Sequence, residues 1–483
     1  MASRRFLVLA ALVPLVTVVL VGACSRDFDQ YDPRLGNPTS TTSGHGGGGD
    51  GGGDGGGGGD GGLGGGGAGG SSGTAGGGGM AGGGGGVTTD CGTVWVLRDD
   101  FEDGQLDATL WEIEHSTGSN IAETNGDLVF ELGTNDSFLT HVLSALAYDF
   151  TNRTVTIEIP TAVVEPPNSD VDVSFAILGD EGNYVEFYVD DGMLVCAVEI
   201  NSQWQAIMSE PYNPTEHRWL RFEDNGSQVV WLVSGDVGSP TNWTVRSQYD
   251  LDQVFDRRWT HVGVAVYGTT TNQGGTYRFD NLNVDVGTES HCPMDSWSDD
   301  FDDGDVSDGW LHADGSGGCT IQENNGEVHI DCATGVDDYY QIYSQAGFDL
   351  TGSNVTIQNT RAPESGSEMG MMLSVWAPNL QDGLLFDMDA GTNYLSVVDA
   401  GNKNDVAQMS YQAADQRWVR IREDSGTVSF EGSSDGVAWT LLTSTVPTFA
   451  VTTMKIELTA YTSTTLTAPA GVSWDDLNLP PAP

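Results

Sequence analysis

The chain repeats itself once with a spacing of about 200 residues, and this duplication restricts the possible folds more than any other feature. The segment Leu97–Gly104 (LRDDFEDG) returns as Trp297–Gly304 (WSDDFDDG), and the dipeptide Asn125-Gly126 returns as Asn325-Gly326. Two later blocks recur in the same order, namely RWLRFEDNG from Arg218 with RWVRIREDSG from Arg417, and YRFDNLNV from Tyr277 with VSWDDLNL from Val472. The sequence therefore predicts a tandem pair of domains that share one fold.

The dipeptide Asn325-Gly326 predicts a two-residue type I′ hairpin turn, because both residues tolerate positive φ. Folding the chain about this turn places Cys319 opposite Cys332, on a rung without backbone hydrogen bonds, where side chains approach closely. We therefore predict a Cys319–Cys332 disulfide, worth ~3 kcal/mol for a loop of this size. Such a bond requires an oxidising compartment. The same rung of the first copy holds Ser119 and Leu132, so the bridge belongs to one copy only.

Both copies have the pattern of antiparallel β-structure. Short apolar or alternating stretches are separated by turns that contain glycine, and no window of a dozen residues keeps a helical period. The predicted strands include Thr154–Ile159, Tyr184–Val189, Val229–Val233, Phe279–Val284, Thr427–Glu431, Lys455–Tyr461 and Trp474–Leu479. We predict an all-β protein with two tandem antiparallel jelly-roll β-sandwiches, in which the last strand of each copy lies near its first.

The N-terminus carries an export pattern. The charged MASRR precedes an apolar run from Phe6 to Val21, and VGAC ends at Cys24. This pattern resembles a bacterial lipoprotein signal, which implies a signal peptide over 1–23, lipidation of Cys24 and an exported protein at the outer membrane or cell surface. The lipid would be its one contact with a membrane. The alternative is an uncleaved transmembrane anchor.

Residues 24–90 are predicted to form the lipidated N-terminus and a disordered linker, because 44–86 is almost entirely glycine and has no means of forming a core. The two sandwiches then occupy 91–288 and 289–483. The net charge of −51, from 69 acidic and 18 basic residues, argues against nucleic acid as a partner.

The order of the repeated motifs resembles that of concanavalin A-like lectin/glucanase domains, the laminin-G-like branch included. The motifs are D-D-F-x-D-G, a following tryptophan, N-G, R-W-[LV]-R-[FI], S-S-D-G-V-A-W-T and a terminal [FW]-D-[ND]-L-N. The resemblance covers Val94–Val286 and Trp297–Leu479. It implies a fold that supports glycan binding, adhesion and some glycoside hydrolysis, among which the fold alone does not choose.

The carboxylate pattern of the hydrolases is not matched. Members that resemble laminarinases carry E-x-D-x-x-E or E-x-D-x-E on one strand, which projects the carboxylates to one face. The nearest stretch is Glu186-x-Tyr188-x-Asp190, and the second copy retains only Asp389. Since the zinc and nucleophile motifs are missing from the sequence as well, we predict that the protein is not an enzyme.

A glycan-binding role requires aromatic side chains that face solvent. Tryptophans that recur in both copies are predicted to be core residues, namely Trp111, Trp219, Trp310 and Trp418. Aromatic residues that differ between the copies in polar, loop-like settings are the predicted ligand contacts, namely Trp204, Tyr212, Tyr339, Tyr340 and Trp376. We expect a cell-surface lipoprotein that binds carbohydrate or another extracellular polymer without catalysis. The alternatives are a structural or adhesive envelope protein that contacts other proteins, and a glycoside hydrolase.

The resemblance also implies a structural calcium ion where the first and last strands meet, held by Asp103 with Asp280 and by Asp303 with Asp475. Surface acidity is the competing explanation of these aspartates. No other cofactor is expected.

The remaining cysteines allow two pairings. Cys91 and Cys292 bracket the first copy, so a Cys91–Cys292 disulfide would leave Cys196 as a buried thiol. The rival pairing joins Cys91 to Cys196 and leaves Cys292 free.

Overall fold

Antiparallel β-strands make up nearly all of the regular structure in the computed structural model. The model describes residues 91–480 except 134–137, 165–170, 180–181, 251–255, 269–273, 315–317, 336–337, 364–365 and 463. The predicted signal peptide, the predicted lipidation site Cys24 and the glycine-rich segment lie outside the described residues. No helix in the described part of the chain is long and apolar enough to cross a membrane.

The described residues of the first copy form fourteen strands. They are β1 (Trp111–His115), β2 (Asn120–Thr124), β3 (Asp127–Leu132), β4 (Phe138–Ser144), β5 (Thr154–Glu158), β6 (Val171–Leu178), β7 (Tyr184–Asp190), β8 (Met193–Ile200), β9 (Gln203–Pro211), β10 (Trp219–Asp224), β11 (Gln228–Ser234), β12 (Thr244–Asp250), β13 (His261–Gly268) and β14 (Gly275–Phe279).

In the second copy, the part that the structure describes has sixteen strands, a 3₁₀ turn at Met294–Ser296 and a one-turn helix, α1 (Ala413–Gln416). The strands are β15 (Cys292–Pro293), β16 (Trp310–Asp314), β17 (Cys319–Glu323), β18 (Val328–Cys332), β19 (Tyr339–Ser344), β20 (Phe348–Asp349), β21 (Asn354–Arg361), β22 (Met369–Trp376), β23 (Gly383–Asp389), β24 (Thr392–Asp399), β25 (Asn402–Ser410), β26 (Trp418–Asp424), β27 (Thr427–Ser433), β28 (Thr440–Thr445), β29 (Lys455–Thr462) and β30 (Ala470–Asp475).

Each copy is a sandwich of two sheets. In the first copy, the sheet that we call the front sheet has the order β1-β4-β13-β6-β7-β8-β9, and the back sheet consists of β12-β11-β10-β5 with β14-β3-β2. A bridge between Glu158 and Asp280 joins the two parts of this back sheet. In the second copy, the front sheet is β16-β19-β29-β22-β23-β24-β25 and the back sheet is β17-β18-β30-β21-β26-β27-β28. The strand orders correspond one to one, so the sequence repeat is a repeat of the fold, and the predicted all-β pair of jelly-roll sandwiches is confirmed.

Alternate side chains of the two sheets fill the space between them. In the first sandwich, Phe175 and Phe187 of the front sheet lie 5.0 and 5.1 Å, centroid to centroid, from Phe222 of the back sheet. Trp231 packs edge-on against the same ring. This core is formed by one face of each sheet. The outer face of the front sheet takes no part in it.

The repeated tryptophans are core residues, as predicted, and the D-D-F motif anchors one of them in each copy. Trp111, Trp219, Trp310 and Trp418 are all at most 3% exposed. The indole Nε1 of Trp111 donates a hydrogen bond of 2.7 Å to Asp99, and that of Trp310 donates one of 2.8 Å to Asp299. The first aspartate of the motif therefore satisfies the polar atom of a buried indole.

The predictions for the final strands, Phe279–Val284 and Trp474–Leu479, are wrong by several residues. The observed β14 ends at Phe279 and β30 ends at Asp475. The strand stops because Asn281 and Asn283 adopt left-handed φ values of 54° and 53°. The amide of Asn283 then donates to the carbonyl oxygens of Val94 and Leu97. These hydrogen bonds hold the end of the sandwich against its beginning. The prediction that the last strand lies near the start of the copy is correct in this respect.

The predicted hairpin and both predicted disulfides are present. Asn325 and Gly326 have φ values of 59° and 75°, and Cys319 pairs in register with Cys332. Cys91 is bonded to Cys292, so the rival pairing with Cys196 is wrong, and Cys196 is a buried free thiol.

Candidate functional site

A cleft of about 620 Å³ opens on the outer face of the front sheet of the first sandwich. Strand alternation divides β7 between two environments. Val185, Phe187 and Val189 belong to the core, whereas Tyr184 and Glu186 line the cleft. The site is therefore built on a rigid sheet rather than on loops alone.

Small residues form the floor of the cleft. In the strand register, Gly263 lies between Leu143 and Ala176, and Ala265 lies beside His141. Since glycine and alanine project little beyond the backbone, the centre of the sheet face is recessed between larger neighbours. The recess follows from residues on three strands that are distant in sequence.

Buried polar side chains form the wall on the first sandwich. The hydroxyl of Tyr184 donates a hydrogen bond of 2.9 Å to Glu199, and Nδ1 of His261 lies 2.9 Å from the carbonyl oxygen of Ser144. His141 is only 5% exposed, yet its Nδ1 has no hydrogen-bond partner among the described residues. A buried polar atom without a partner is uncommon in folded proteins, which makes His141 a candidate for a hydrogen bond to a ligand.

Burial keeps the two histidines neutral. It lowers the pKa of His141 to about 4 and that of His261 to about 4. A neutral imidazole has one donor and one acceptor nitrogen, which suits hydroxyl groups on a ligand.

Glu186 is the acidic residue at the base of the cleft. Trp204 Nε1 donates to its Oε1 at 3.0 Å, and Ser174 Oγ donates to its Oε2 at 3.1 Å. Burial raises the pKa of Glu186 to about 7 and, more moderately, raises that of Glu199. Both oxygens of Glu186 are thus already engaged by protein donors.

Trp259 is a half-buried indole at the rim. The guanidinium of Arg258 lies 6.0 Å from the centroid of this indole and forms ion pairs with Asp256 and Asp308. The bridges Tyr148–Thr260 and Phe348–Met454 show that Thr453 is the equivalent residue of the second copy. Trp259 is therefore an aromatic residue that differs between the copies, which is the criterion used above for ligand contacts. Trp259 was not among the predicted ligand contacts, because the stretch R-R-W-T-H does not have the composition of a polar loop.

The five predicted ligand contacts are not among the described residues that line the cleft. Trp204 is one contact away, through Glu186. Trp376 is 6% exposed and donates its Nε1 proton to Ser374 at 3.0 Å, while Tyr340 is 8% exposed. Tyr339 is half-buried at the start of β19. The ring of Tyr212 packs on His217 at 5.7 Å.

The predicted calcium residues have the following surroundings. Asp103 is hydrogen-bonded to Glu123, and burial raises the pKa of Glu123 to about 7. Asp280 lies near Glu158, Asp127 and Glu102. Asp303 pairs in the same way with Glu323 and lines the cleft, and Asp475 lies near Asp476. Among the described residues, no group of three or more His, Cys, Asp or Glu side chains has the arrangement of a metal site. Calcium binding stays a prediction.

Several solved structures are similar to this chain over about two fifths of its length. A glycoside hydrolase family 16 endo-glucanase from Bacteroides ovatus has 9% identity, a TM-score of 0.30 and coverage of 38% of this chain and 98% of its own. The laminarinase from Rhodothermus marinus has 10% identity, a TM-score of 0.30 and coverage of 39% and 95%. The CBM2 module of the evolved Dit of Lactobacillus casei BL23 phage J-1 has 10% identity, a TM-score of 0.28 and coverage of 40% and 97%.

No protein-family profile matches the chain. No curated protein sequence matches it either. At the identities and TM-scores of the solved structures, the likeness gives no evidence on activity.

Proposed function

We propose that the protein binds an uncharged glycan in the cleft of the first sandwich, without catalysis. The observation that carries this proposal is the recessed floor of Gly263, Ala265 and Ala176 with the indole of Trp259 at its rim. A recess of this kind accepts a pyranose ring, whose C–H face stacks on an indole and whose hydroxyls require neutral donors and acceptors. His141 and His261 supply such groups.

Charge supports an uncharged ligand. The lining residues of the cleft include five acidic side chains, namely Glu186, Asp256, Asp303, Asp305 and Asp308, and one arginine that is already paired with two of them. A uronate, sulfate or phosphate group would meet like charge without a free cation to offset it. The same field disfavours nucleic acid.

The surroundings of Glu186 support binding without hydrolysis. A glycosidase needs two carboxyl groups that reach the scissile bond from either side. Both oxygens of Glu186 accept hydrogen bonds from protein side chains, and Glu199 accepts the Tyr184 hydroxyl. Release of reducing ends from any bound oligosaccharide would contradict this part of the proposal.

Replacement of Trp259 tests the proposed site. Trp259→Ala should weaken binding of neutral β-glucan, xylan or mannan hexasaccharides about tenfold, since a stacked aromatic ring contributes on the order of 1 kcal/mol. The measurement is isothermal titration calorimetry with the whole chain. Trp243→Ala is the matched control, because that indole stacks under Arg221 at 3.8 Å and is not among the residues that line the cleft. Equal affinities for wild type and Trp259→Ala would refute the proposal.

We also propose that the protein is exported and lipid-anchored at the outer membrane or cell surface through Cys24. The support is the N-terminal pattern of charged residues, apolar run and VGAC. Cys24→Ala should release the protein from the membrane fraction of expressing cells. Retention of this variant in membranes would contradict the anchor.

A further inference from the structure

At the positions of Gly263, Ala265 and Ala176, the described part of the second sandwich's front sheet carries larger side chains. Register places Glu457 between Tyr343 and Ser374, where the first sandwich has Gly263 between Leu143 and Ala176. Thr459 likewise replaces Ala265.

These larger side chains bond to one another. Thr459 Oγ1 donates to Glu457 Oε1 at 2.6 Å, and Ser374 Oγ lies 3.4 Å from the same oxygen. Trp376 Nε1 donates in turn to Ser374 Oγ. The floor positions of the second sandwich are therefore filled by a satisfied polar network.

A buried ion pair lies on the same sheet face. Lys403 Nζ lies 3.2 Å from Asp387 Oδ2, and the Tyr461 hydroxyl donates to Asp387 Oδ1 at 2.5 Å. The side chains of Lys403 and Asp387 are 11% and 3% exposed. A buried charge is tolerated when it is paired with an opposite charge. A ligand that displaced one member of this pair would leave the other as an unpaired buried charge, which is costly.

The second sandwich instead contributes to the cleft of the first. Its edge strand β16 supplies Trp310, Leu311 and His312, and the adjacent β19 with its following residue supplies Tyr343 and Gln345. The loop that carries Asp303 and Asp308 completes this side. The recess of the first front sheet thus has a wall made by the other domain.

Direct contacts hold that wall in place. The Ala147 amide donates to the Gln345 carbonyl oxygen at 3.0 Å, and Arg258 is ion-paired with Asp308. The Cys91–Cys292 disulfide joins the chain segments that precede the two copies of the fold. Gly347 lies so close to the first sandwich that a Cβ atom there would be 2.6 Å from Leu146 Cδ1.

From these observations we propose that the protein has one composite saccharide site per chain, in which the edge of the second sandwich's front sheet forms a wall of the first sandwich's cleft, and that the central strands of that sheet, β29, β22 and β23, bind no glycan of their own. This inference rests on the proposed function. It replaces the picture of two equivalent lectin domains with one binding face and one closed face.

Titration of the whole chain with β-1,3- and β-1,4-linked glucan hexasaccharides tests the inference. We expect a stoichiometry of one ligand per chain. Gln345→Ala and Leu311→Ala, which alter the second sandwich alone, should each weaken binding about five- to tenfold through lost contacts in the wall. Gln322→Ala is the matched control, since Gln322 is an exposed residue of β17 on the back sheet.

The outcomes separate this inference from the proposed function. One ligand per chain together with weaker binding by Gln345→Ala and Leu311→Ala supports it. Two ligands per chain, or affinities unchanged in both variants while Trp259→Ala still loses binding, overturns the composite site and leaves glycan binding by the first sandwich intact. Absence of binding to all of the neutral hexasaccharides, those of xylan and mannan included, overturns both.

Discussion

The Glu186 carboxyl is buried at the base of the cleft, and its environment makes the stability of the protein depend on pH. Its pKa of about 7 lies above the usual 4.5 because burial disfavours the ionised form. A carboxyl whose pKa is raised in the folded state stabilises that state below the unfolded pKa and loses this contribution as the pH rises through the folded pKa. The window of loss therefore runs from about pH 4.5 to somewhat above pH 7.

Glu186→Gln should remove this dependence. The free energy of unfolding of the variant minus that of wild type should be about 3 kcal/mol higher at pH 8.5 than at pH 4, so that the variant is relatively more stable at high pH, since each unit of pKa shift corresponds to about 1.4 kcal/mol. Urea denaturation of both proteins at several pH values measures the difference, in which the other titrating groups cancel. A difference that does not change with pH would show that Glu186 is ionised in the folded protein.

At single residues, the sequence predicted the core better than the site. Recurrence in both copies marked Trp111 and Trp310 as core residues, because a shared fold requires shared packing. Trp259 was not identified as a site residue, because its half-buried position depends on where β13 begins and on the second sandwich beside it. His141 and Gly263 were not identified either, because only the strand register shows that they share one recess.

Among the elements, strands β4, β6 and β13 decide whether the cleft is open. Their small residues come from segments that are far apart in the sequence, so period 2 alone predicts the strands but not which outward positions become neighbours. The final strands were misplaced because Asn281 and Asn283 break an alternating apolar pattern with left-handed backbone, a feature that hydrophobic periodicity does not register.

Filling the floor should abolish binding without unfolding the sheet. Ala265→Leu places a larger side chain on an outer-facing position that is 8% exposed beside His141, so affinity for the hexasaccharides should fall at least tenfold. Ala206→Leu on the exposed edge strand β9 is the control and should bind normally. Undiminished binding by a folded Ala265→Leu protein would move the site elsewhere.

The closed face of the second sandwich should matter for stability and not for binding. Lys403→Met leaves Asp387 buried without its cation, which should lower the free energy of unfolding by about 3 kcal/mol at pH 8. The loss should shrink as the pH falls, because burial raises the pKa of Asp387 and so favours its neutral form. Addition of Asp387→Leu should restore most of the stability, and glycan affinity should stay at the wild-type value throughout. A loss of affinity in these variants would indicate a ligand on that face.

For the molecule as a whole, the contact between the sandwiches defines the site. Sequence predicted two domains and the Cys91–Cys292 bridge as one of two pairings, but it contained no information on how the domains pack. The wall that Leu311 and Gln345 contribute follows from that packing alone. This is why the predicted ligand contacts were assigned to separate domains.

A larger side chain at the contact between the two sandwiches should weaken glycan binding, although the substituted residue does not line the cleft. Gly347→Val forces its new side chain against Leu146, so the wall should shift and affinity should fall several-fold while the circular dichroism spectrum stays that of a β-sheet protein. Gly287→Val is the matched control, because an added Cβ there meets nothing within 4 Å. Equal affinities of the two variants would mean that the packing of the sandwiches does not shape the site.

The most direct measurement is a crystal structure of both sandwiches in one chain with a bound neutral hexasaccharide. The account predicts one ligand, with a sugar ring stacked on Trp259, a hydroxyl bonded to His141 and contacts to Leu311 or Gln345 of the second sandwich. A ligand over the central strands β29, β22 and β23 of the second sandwich, or one held by the first sandwich with no contact to the second, would contradict it.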